Sequence, residues 1–144
     1  MSGQDETRFV HEISIEEYDA LRQAVGWAPV APRLARISLD NTLFLVAAVR
    51  AGCPVGMARV VGDGGYIAYI ADVIVLPECQ RSGIGTALME QVMRSIRGNL
   101  LPGERVFVNL MAAAGIEPFY NRFGVIEYPS GVLGASMSIY MEGT

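Results

Sequence analysis

Residues 73–86 read VIVLPECQRSGIGT, and this stretch decides how the rest of the sequence is interpreted. An apolar run with strand character is stopped by Pro77, and Gly83 and Gly85 then lead into a helical pattern. Small residues at the start of a helix let the backbone come close to a ligand. The amides of a first helical turn lack intrahelical partners and lie at the positive end of the helix dipole. The stretch therefore predicts a site for a phosphate or pyrophosphate.

Neither of the two common nucleotide-binding motifs fits this glycine-rich turn. A P-loop requires Lys after its second glycine, and the chain contains no Lys. A dinucleotide fingerprint requires a third Gly or Ala where Leu88 stands, and it requires a parallel βαβ context. A lone Gly-x-Gly also serves tight turns and close helix packing, and for Gly83 and Gly85 taken alone that alternative stays open.

Length and charge exclude several classes of protein. The chain has 144 residues, 51% of them hydrophobic, and a net charge of -4, so we expect a single domain over 1–144. No apolar run reaches the ~20 residues of a membrane-spanning helix, and no basic block indicates nucleic-acid binding. His11 is the only His and accompanies just two Cys, so we expect no metal site and a reducing, cytoplasmic location.

The patterns on both sides of this stretch predict alternating strands and helices. Ser14 and Glu17 form a capping box at a first helix. A second helix after Pro32 is expected to face inward with Leu34 and Ile37. Strands are predicted over 8–13, 43–49, 55–61, 66–76, 105–110 and 137–141, and later helices over 83–98 and 117–123. Tight turns join the three central strands, so we expect a mixed α/β (α+β) fold with a mostly antiparallel sheet flanked by helices.

Two motifs resemble those of one family. Residues 80–85, QRSGIG, resemble the GNAT motif (Gln or Arg)-x-x-Gly-x-(Gly or Ala). Residues 119–124, FYNRFG, resemble the family's Phe-Tyr-x-x-x-Gly helix. By this resemblance, which spans nearly the whole chain, the sequence is identified as a member of the GNAT N-acetyltransferase superfamily. It departs from the family at Ala113, where many members carry Asn, and at Val125, which replaces the usual aromatic residue.

The resemblance implies that acetyl-CoA is the cosubstrate. It would lie in a cleft where the strands ending near Val75 and Leu110 splay apart. Backbone groups of Val73, Ile74 and Val75 would pair with the pantetheine arm, and one of these amides would polarise the thioester carbonyl. The pyrophosphate would lie on Arg81, Ser82, Gly83, Ile84, Gly85 and Thr86. Homodimers are common in similar proteins, so a homodimer is also expected.

Two residues are candidates for proton transfer. Tyr120 is expected to protonate the leaving thiolate, since it lies about 100° around its helix from Phe119 and its hydroxyl can reach a cleft. Asp72 is the candidate base, directly or through water, because it alternates with Ile70 and Ile74 on an apolar face. The structural alternatives are a packed Tyr with a solvated hydroxyl and a carboxylate that caps neighbouring backbone.

Four residues are candidates for the acceptor site: Trp27, Arg59, Tyr66 and Tyr69. Trp27 follows a helix stop and either walls an acceptor pocket or only covers the core. Arg59 either anchors an acidic group of the substrate or pairs with an acidic neighbour. We expect acetyl transfer to a primary amine of a small molecule or peptide by direct attack. The alternative is a non-catalytic acyl-CoA sensor or interaction module on the same fold.

Overall fold

A computed structural model of the chain describes residues 6–144. The regular elements are β1 (Arg8–Val10), α1 (Ile15–Ala24), α2 (Pro32–Asp40), β2 (Phe44–Arg50), β3 (Cys53–Gly62), β4 (Ile67–Val75), α3 (Ile84–Gly98), β5 (Phe107–Leu110) and α4 (Glu117–Asn121). Contacts divide the chain into two compact units, Met1–Met111 and Ala112–Thr144. All five strands lie in the first unit and α4 in the second. None of the described helices has the length and apolar character needed to cross a membrane.

The sheet is a meander whose last strand changes direction. Its strand order is β1-β2-β3-β4-β5, and every neighbouring pair is antiparallel except the parallel pair β4 and β5. Ala51 and Gly52 connect β2 to β3, and both have a positive φ, as a two-residue hairpin with matching twist requires. The predicted mixed fold with a mostly antiparallel sheet is thereby confirmed.

Helices cover both faces of the sheet. On one face α1 and α2 bury Tyr18, Leu21 and Ala35 against Met57 and Ile74. On the other face α3 buries an apolar stripe that includes Leu88, Met89 and Val92. The predicted capping box of α1 is present, since Ser14 and Glu17 each accept a hydrogen bond from the other's backbone amide. The buried central strands thus hold β4 in place between two helical layers.

Two predictions about apolar residues are wrong. Leu34 and Ile37 are 51% and 47% exposed, and Ala35 is the residue of α2 that is buried. The helix meets its neighbours at Ala35, and the 100° step per residue carries the larger side chains away from that contact.

Residues 137–141 do not form the predicted strand. Alternating side chains give only a tendency, and a strand forms only where another strand supplies hydrogen bonds.

Candidate functional site

One edge of β4 lacks a strand partner beyond its midpoint. β4 pairs with β5 from Ile67 opposite Phe107 to Ile70 opposite Leu110, and the ladder then ends. β4 itself continues to Val75, and over residues 71–75 it has β3 as its only strand partner among the described residues. The edge on the β5 side therefore offers backbone N–H and C=O groups to an extended ligand, which can bind as an added strand.

A bulge lies where β4 leaves β5. The register with β3 runs from Arg59 opposite Ala71 to Met57 opposite Ile74, so β4 carries one extra residue. Asp72 has a φ of 53°, in the left-handed region. The extra residue breaks the alternation of β4: Asp72 and Ile74 face the α1 side, whereas Ile70 faces α3. The expectation that Asp72 shares a face with Ile70 is wrong for this reason.

The start of α3 has the features of an anion site. Its N-cap is Gly83, with a φ of 85°, and no side chain among the described residues caps it. A Cβ added to Gly83 would meet nothing within 4 Å, so a ligand can approach the backbone closely. The preceding loop is held by Gln80, whose Nε2 donates to the Val75 carbonyl (3.0 Å), and by Ser82, whose hydroxyl donates to the Cys79 carbonyl. The positive end of a 15-residue helix, entered through an N-cap glycine without a side-chain cap, fits a diphosphate.

The Asp72 carboxylate is the centre of a polar cluster. It accepts hydrogen bonds from the Tyr18 hydroxyl (2.7 Å), Arg22 Nη1 (2.8 Å) and Arg59 Nε (2.5 Å). The side chains of Arg22, Arg59 and Asp72 are 16%, 12% and 8% exposed. Arg59 therefore pairs with an acidic neighbour, which was one of the two alternatives. Sequence reasoning missed Tyr18 and Arg22 because 54 and 50 residues separate them from Asp72.

The candidate acceptor residues divide into two groups. The guanidinium of Arg22 lies 5.3 Å from the ring centroid of Trp27. Trp27 therefore borders the polar cluster around Asp72, which contains Arg59. Tyr66 lies at the far end of β4, where its carbonyl accepts a hydrogen bond from the Phe107 amide (2.7 Å). Tyr69 is more than one-third exposed and lies between β3 and β5 in the paired part of β4. Trp27 and Arg59 both contact this cluster, Trp27 through Arg22 and Arg59 through Asp72, whereas Tyr66 is not among its contacts.

Tyr120 belongs to the second unit. It lies in α4 and is buried, with the ring of Phe119 packed edge-on at 5.1 Å. Burial raises the pKa of Tyr120 above its ordinary value of 10.0, because the phenolate would be poorly solvated there. The hydroxyl therefore stays protonated at neutral pH and can act as a hydrogen-bond or proton donor.

Known sequences identify relatives along most of the chain. The sequence profile of the acetyltransferase (GNAT) family matches residues 7–125. The uncharacterized N-acetyltransferase ycf52 of Porphyra purpurea is 29% identical over 126 residues, which cover 85% of this chain and 70% of the relative. The chloroplastic serotonin N-acetyltransferase 2 of Oryza sativa is 35% identical over 88 residues, or 61% of this chain and 42% of the relative.

Solved structures share the fold. A probable acetyltransferase, SA2161 of Staphylococcus aureus, superposes with a TM-score of 0.84 at 31% identity, covering 94% of this chain and all of the other. The GNAT-family protein SP0256 of Streptococcus pneumoniae superposes with a TM-score of 0.74 at 29% identity, covering 95% of this chain and 98% of the other. AAC(6')-Iy, solved with a CoA bisubstrate analogue, superposes with a TM-score of 0.65, covering 94% of this chain and all of the other. Because the two sequences are only 16% identical, this likeness supports the fold alone.

Proposed function

The chain belongs to the acetyltransferase (GNAT) family, and on this premise we propose that it transfers the acetyl group of acetyl-CoA to a primary amine of a small-molecule or peptide acceptor. One observation carries the proposal: the open edge of β4 and the uncapped start of α3 lie at the two ends of the same loop, residues 76–83. The extended pantetheine arm of acetyl-CoA matches the open edge, and the diphosphate joined to that arm matches the start of α3.

The cosubstrate is held mainly by backbone groups in this proposal. The open edge formed by Val73, Ile74 and Val75 pairs with the amides of the pantetheine arm. The diphosphate lies on the loop and first turn of α3, which comprise Arg81, Ser82, Gly83, Ile84, Gly85 and Thr86. Main-chain donors need no positive side chains, which agrees with the chain's negative net charge of -4.

The reaction forms one bond and breaks another. The neutral amine attacks the thioester carbonyl carbon, a C–N bond forms and the C–S bond breaks. Negative charge develops on the carbonyl oxygen, and a strand amide among residues 73–75 donates to it. Tyr120 gives its proton to the departing thiolate, and the attacking nitrogen loses a proton to a base or to water. The raised pKa of Tyr120 keeps this donor protonated up to alkaline pH.

The attacking amine also has to lose a proton, and the contacts of Asp72 bear on which group takes it. Asp72 is the expected base, yet its two oxygens already accept hydrogen bonds from three side chains. A base must have a lone pair directed at the proton it removes. Loss of the amine's proton to water therefore agrees better with these contacts than its removal by the Asp72 carboxylate does.

Binding and turnover are tested separately. Calorimetry with CoA measures the affinity of wild type, Ser82→Asp and the control Ser130→Asp. Ser82→Asp puts a negative charge beside the start of α3, so we expect about tenfold weaker binding with a strong dependence on salt, because the added carboxylate repels the diphosphate. Ser130→Asp makes the same charge change at an exposed site in the second unit and should bind like wild type. Equal affinities of all three proteins would refute the diphosphate site.

Release of free thiol from acetyl-CoA over a panel of primary amines, including serotonin, measures turnover. For Tyr120→Phe we expect a fall in kcat of about 10²-fold with unchanged CoA affinity, because the phenol donates only as the thiolate leaves. Tyr128→Phe is the matched control. An unchanged kcat in Tyr120→Phe would remove the acid assignment. Tight CoA binding without turnover on any amine would instead support the non-catalytic sensor.

We also propose that the chain forms a homodimer through its C-terminal segment. Apolar side chains between residues 132 and 141 are strongly exposed, namely Val132, Leu133, Met137, Ile139, Tyr140 and Met141. Exposed apolar side chains concentrated in one segment favour an interface that removes them from water. Light scattering after gel filtration should give twice the chain mass of 15.5 kDa, and Ile139→Asp should reduce it. A monomeric wild type at high concentration would refute the dimer.

A further inference from the structure

The polar cluster of Tyr18, Arg22, Arg59 and Asp72 connects three elements at one point of β4. Tyr18 and Arg22 come from α1 and Arg59 from β3, and all three donate to the carboxylate of Asp72. Two ion pairs, one with Arg22 and one with Arg59, meet at this carboxylate. A buried carboxylate with three donors has few alternative positions, because leaving any donor costs a buried hydrogen bond.

The same residue carries an unusual backbone. Asp72 has a φ of 53°, a conformation that L residues other than Asn and Asp rarely adopt, and it is the extra residue of the β4 bulge. Unfavourable backbone conformations persist only where the surroundings hold them. The three donors to the Asp72 side chain supply contacts that hold this residue in the bulge.

The bulge directs the residues that follow it. The ladder between β4 and β5 ends at Ile70, and Val73 is the first residue after the extra one. Loss of the bulge would shift the register of residues 73–75 by one, which would exchange their two faces and turn the Val73 amide to the opposite edge of β4. The direction of the Val73 amide thus depends on the contacts of Asp72.

We propose that Tyr18, Arg22 and Arg59 act as positioning residues through Asp72, aiming the strand amides after the bulge at the thioester carbonyl. This proposal rests on the proposed acetyl transfer. It gives Asp72 a role in place of the base role, since a carboxylate committed to three donors orients the backbone and does not take the proton of the amine. It also assigns a role to Tyr18, whose hydroxyl donates to the Asp72 carboxylate while its ring packs in the core.

Tyr18→Phe is the main test because it removes one hydroxyl and keeps the ring and both ion pairs. We expect kcat to fall about tenfold while the calorimetric affinity for CoA changes less than threefold, since the diphosphate site is separate. Asp72→Asn should lower kcat about 10²-fold. Asp63→Asn is the matched control: the Asp63 carboxylate is exposed and accepts hydrogen bonds from the Gly65 and Ile67 amides at the β3–β4 turn. It should leave kcat unchanged.

The pH profile separates positioning from base catalysis. If Asp72 positions the backbone, kcat/KM of Asp72→Asn keeps the pH dependence of wild type at a lower rate. If Asp72 is the base, the acidic limb of the profile disappears, and the proposal is overturned. The amide resonance of Val73 in a ¹⁵N-labelled protein gives a second readout. It should shift when acetyl-CoA is added to wild type, and the shift should be smaller in Tyr18→Phe.

The remaining outcomes are also decisive. An unchanged kcat in Tyr18→Phe overturns the proposal. A fall in kcat matched by an equal loss of CoA affinity also overturns it, because equal losses would indicate a purely structural role. Should Asp72→Asn fail to fold, Tyr18→Phe and the Val73 resonance decide alone. Failure of wild type to bind CoA or to turn over any amine would refute the proposed function itself, which is a different result from a wild-type-like Tyr18→Phe.

Discussion

The substitution Gly56→Ala tests how closely α3 lies on the sheet. A Cβ at this position would lie 2.8 Å from the carbonyl oxygen of Ile74 and 3.3 Å from side-chain atoms of Ile84 and Leu88. The side chains of Ile84 and Leu88 can adjust by a few tenths of an ångström, but the Ile74 carbonyl belongs to the backbone of β4, which pairs with β3 at this point. Either β4 or α3 must therefore move to admit the methyl group.

The expected loss of stability follows from two opposing terms. Adding a methyl group to a packed interior costs about 1–3 kcal/mol. Replacing Gly by Ala restricts the unfolded chain and returns about 0.4–1 kcal/mol. We therefore expect the free energy of unfolding to fall by about 1–2 kcal/mol. Because Ile74 lies in the open edge proposed to bind the pantetheine arm, CoA affinity should fall as well.

Urea unfolding measures the first effect and calorimetry the second. The unfolding midpoint of Gly56→Ala should decrease while the m value stays the same. Gly98→Ala is the matched control, since an added Cβ there meets nothing within 4 Å at the last residue of α3. It should be neutral or stabilising by up to about 1 kcal/mol, because Ala favours helix over Gly. Equal stability of Gly56→Ala and wild type would refute the inferred contact between α3, β3 and β4.

Three further predictions concern pH, capping and the anion site. Burial raises the pKa of both Tyr18 and Tyr120 from 10.0, so the stability they contribute is complete below pH 10 and is lost as the pH rises through the higher folded values. Urea unfolding between pH 8 and 12 measures this loss, and a free energy of unfolding that stays constant over the range would contradict it. Ser14→Ala removes the side chain that accepts from the Glu17 amide and should cost about 1 kcal/mol of unfolding free energy, whereas an unaffected midpoint would argue against the capping box. Gly83→Ala strains a residue with a φ of 85° and should cost about 1–2 kcal/mol and weaken CoA binding, which thermal unfolding with and without CoA measures.

Features that depend on neighbours in sequence were predicted well. The capping box needs only Ser14 and Glu17, three residues apart, and it forms as expected. The apolar stripe of α3 and the uncapped glycine at its start follow from the same short-range rules. The open edge near Val75 was expected only through the resemblance to a family, and the ladder that ends at Ile70 supplies its geometric basis.

Features that depend on distant contacts were missed or misjudged. Leu34 and Ile37 looked like an inward stripe, but which face of a short helix is buried depends on where its neighbour lies. Asp72 was expected to share a face with Ile70, and the inserted residue of the bulge reversed that relation. A bulge depends on the register between two strands, and a single strand carries no signal of that register.

The order of residues along the chain determined the local elements of this protein: where helices begin, which strands are apolar, and where a glycine-rich turn leads into a helix. These features arise from interactions within about four residues, so the sequence encodes them directly. Only the tertiary structure decided that Tyr18, Arg22 and Arg59 meet at Asp72, because that carboxylate is desolvated and satisfied only after α1, β3 and β4 have packed together. Burial and long-range hydrogen bonding belong to the assembled core, and no segment possesses them alone.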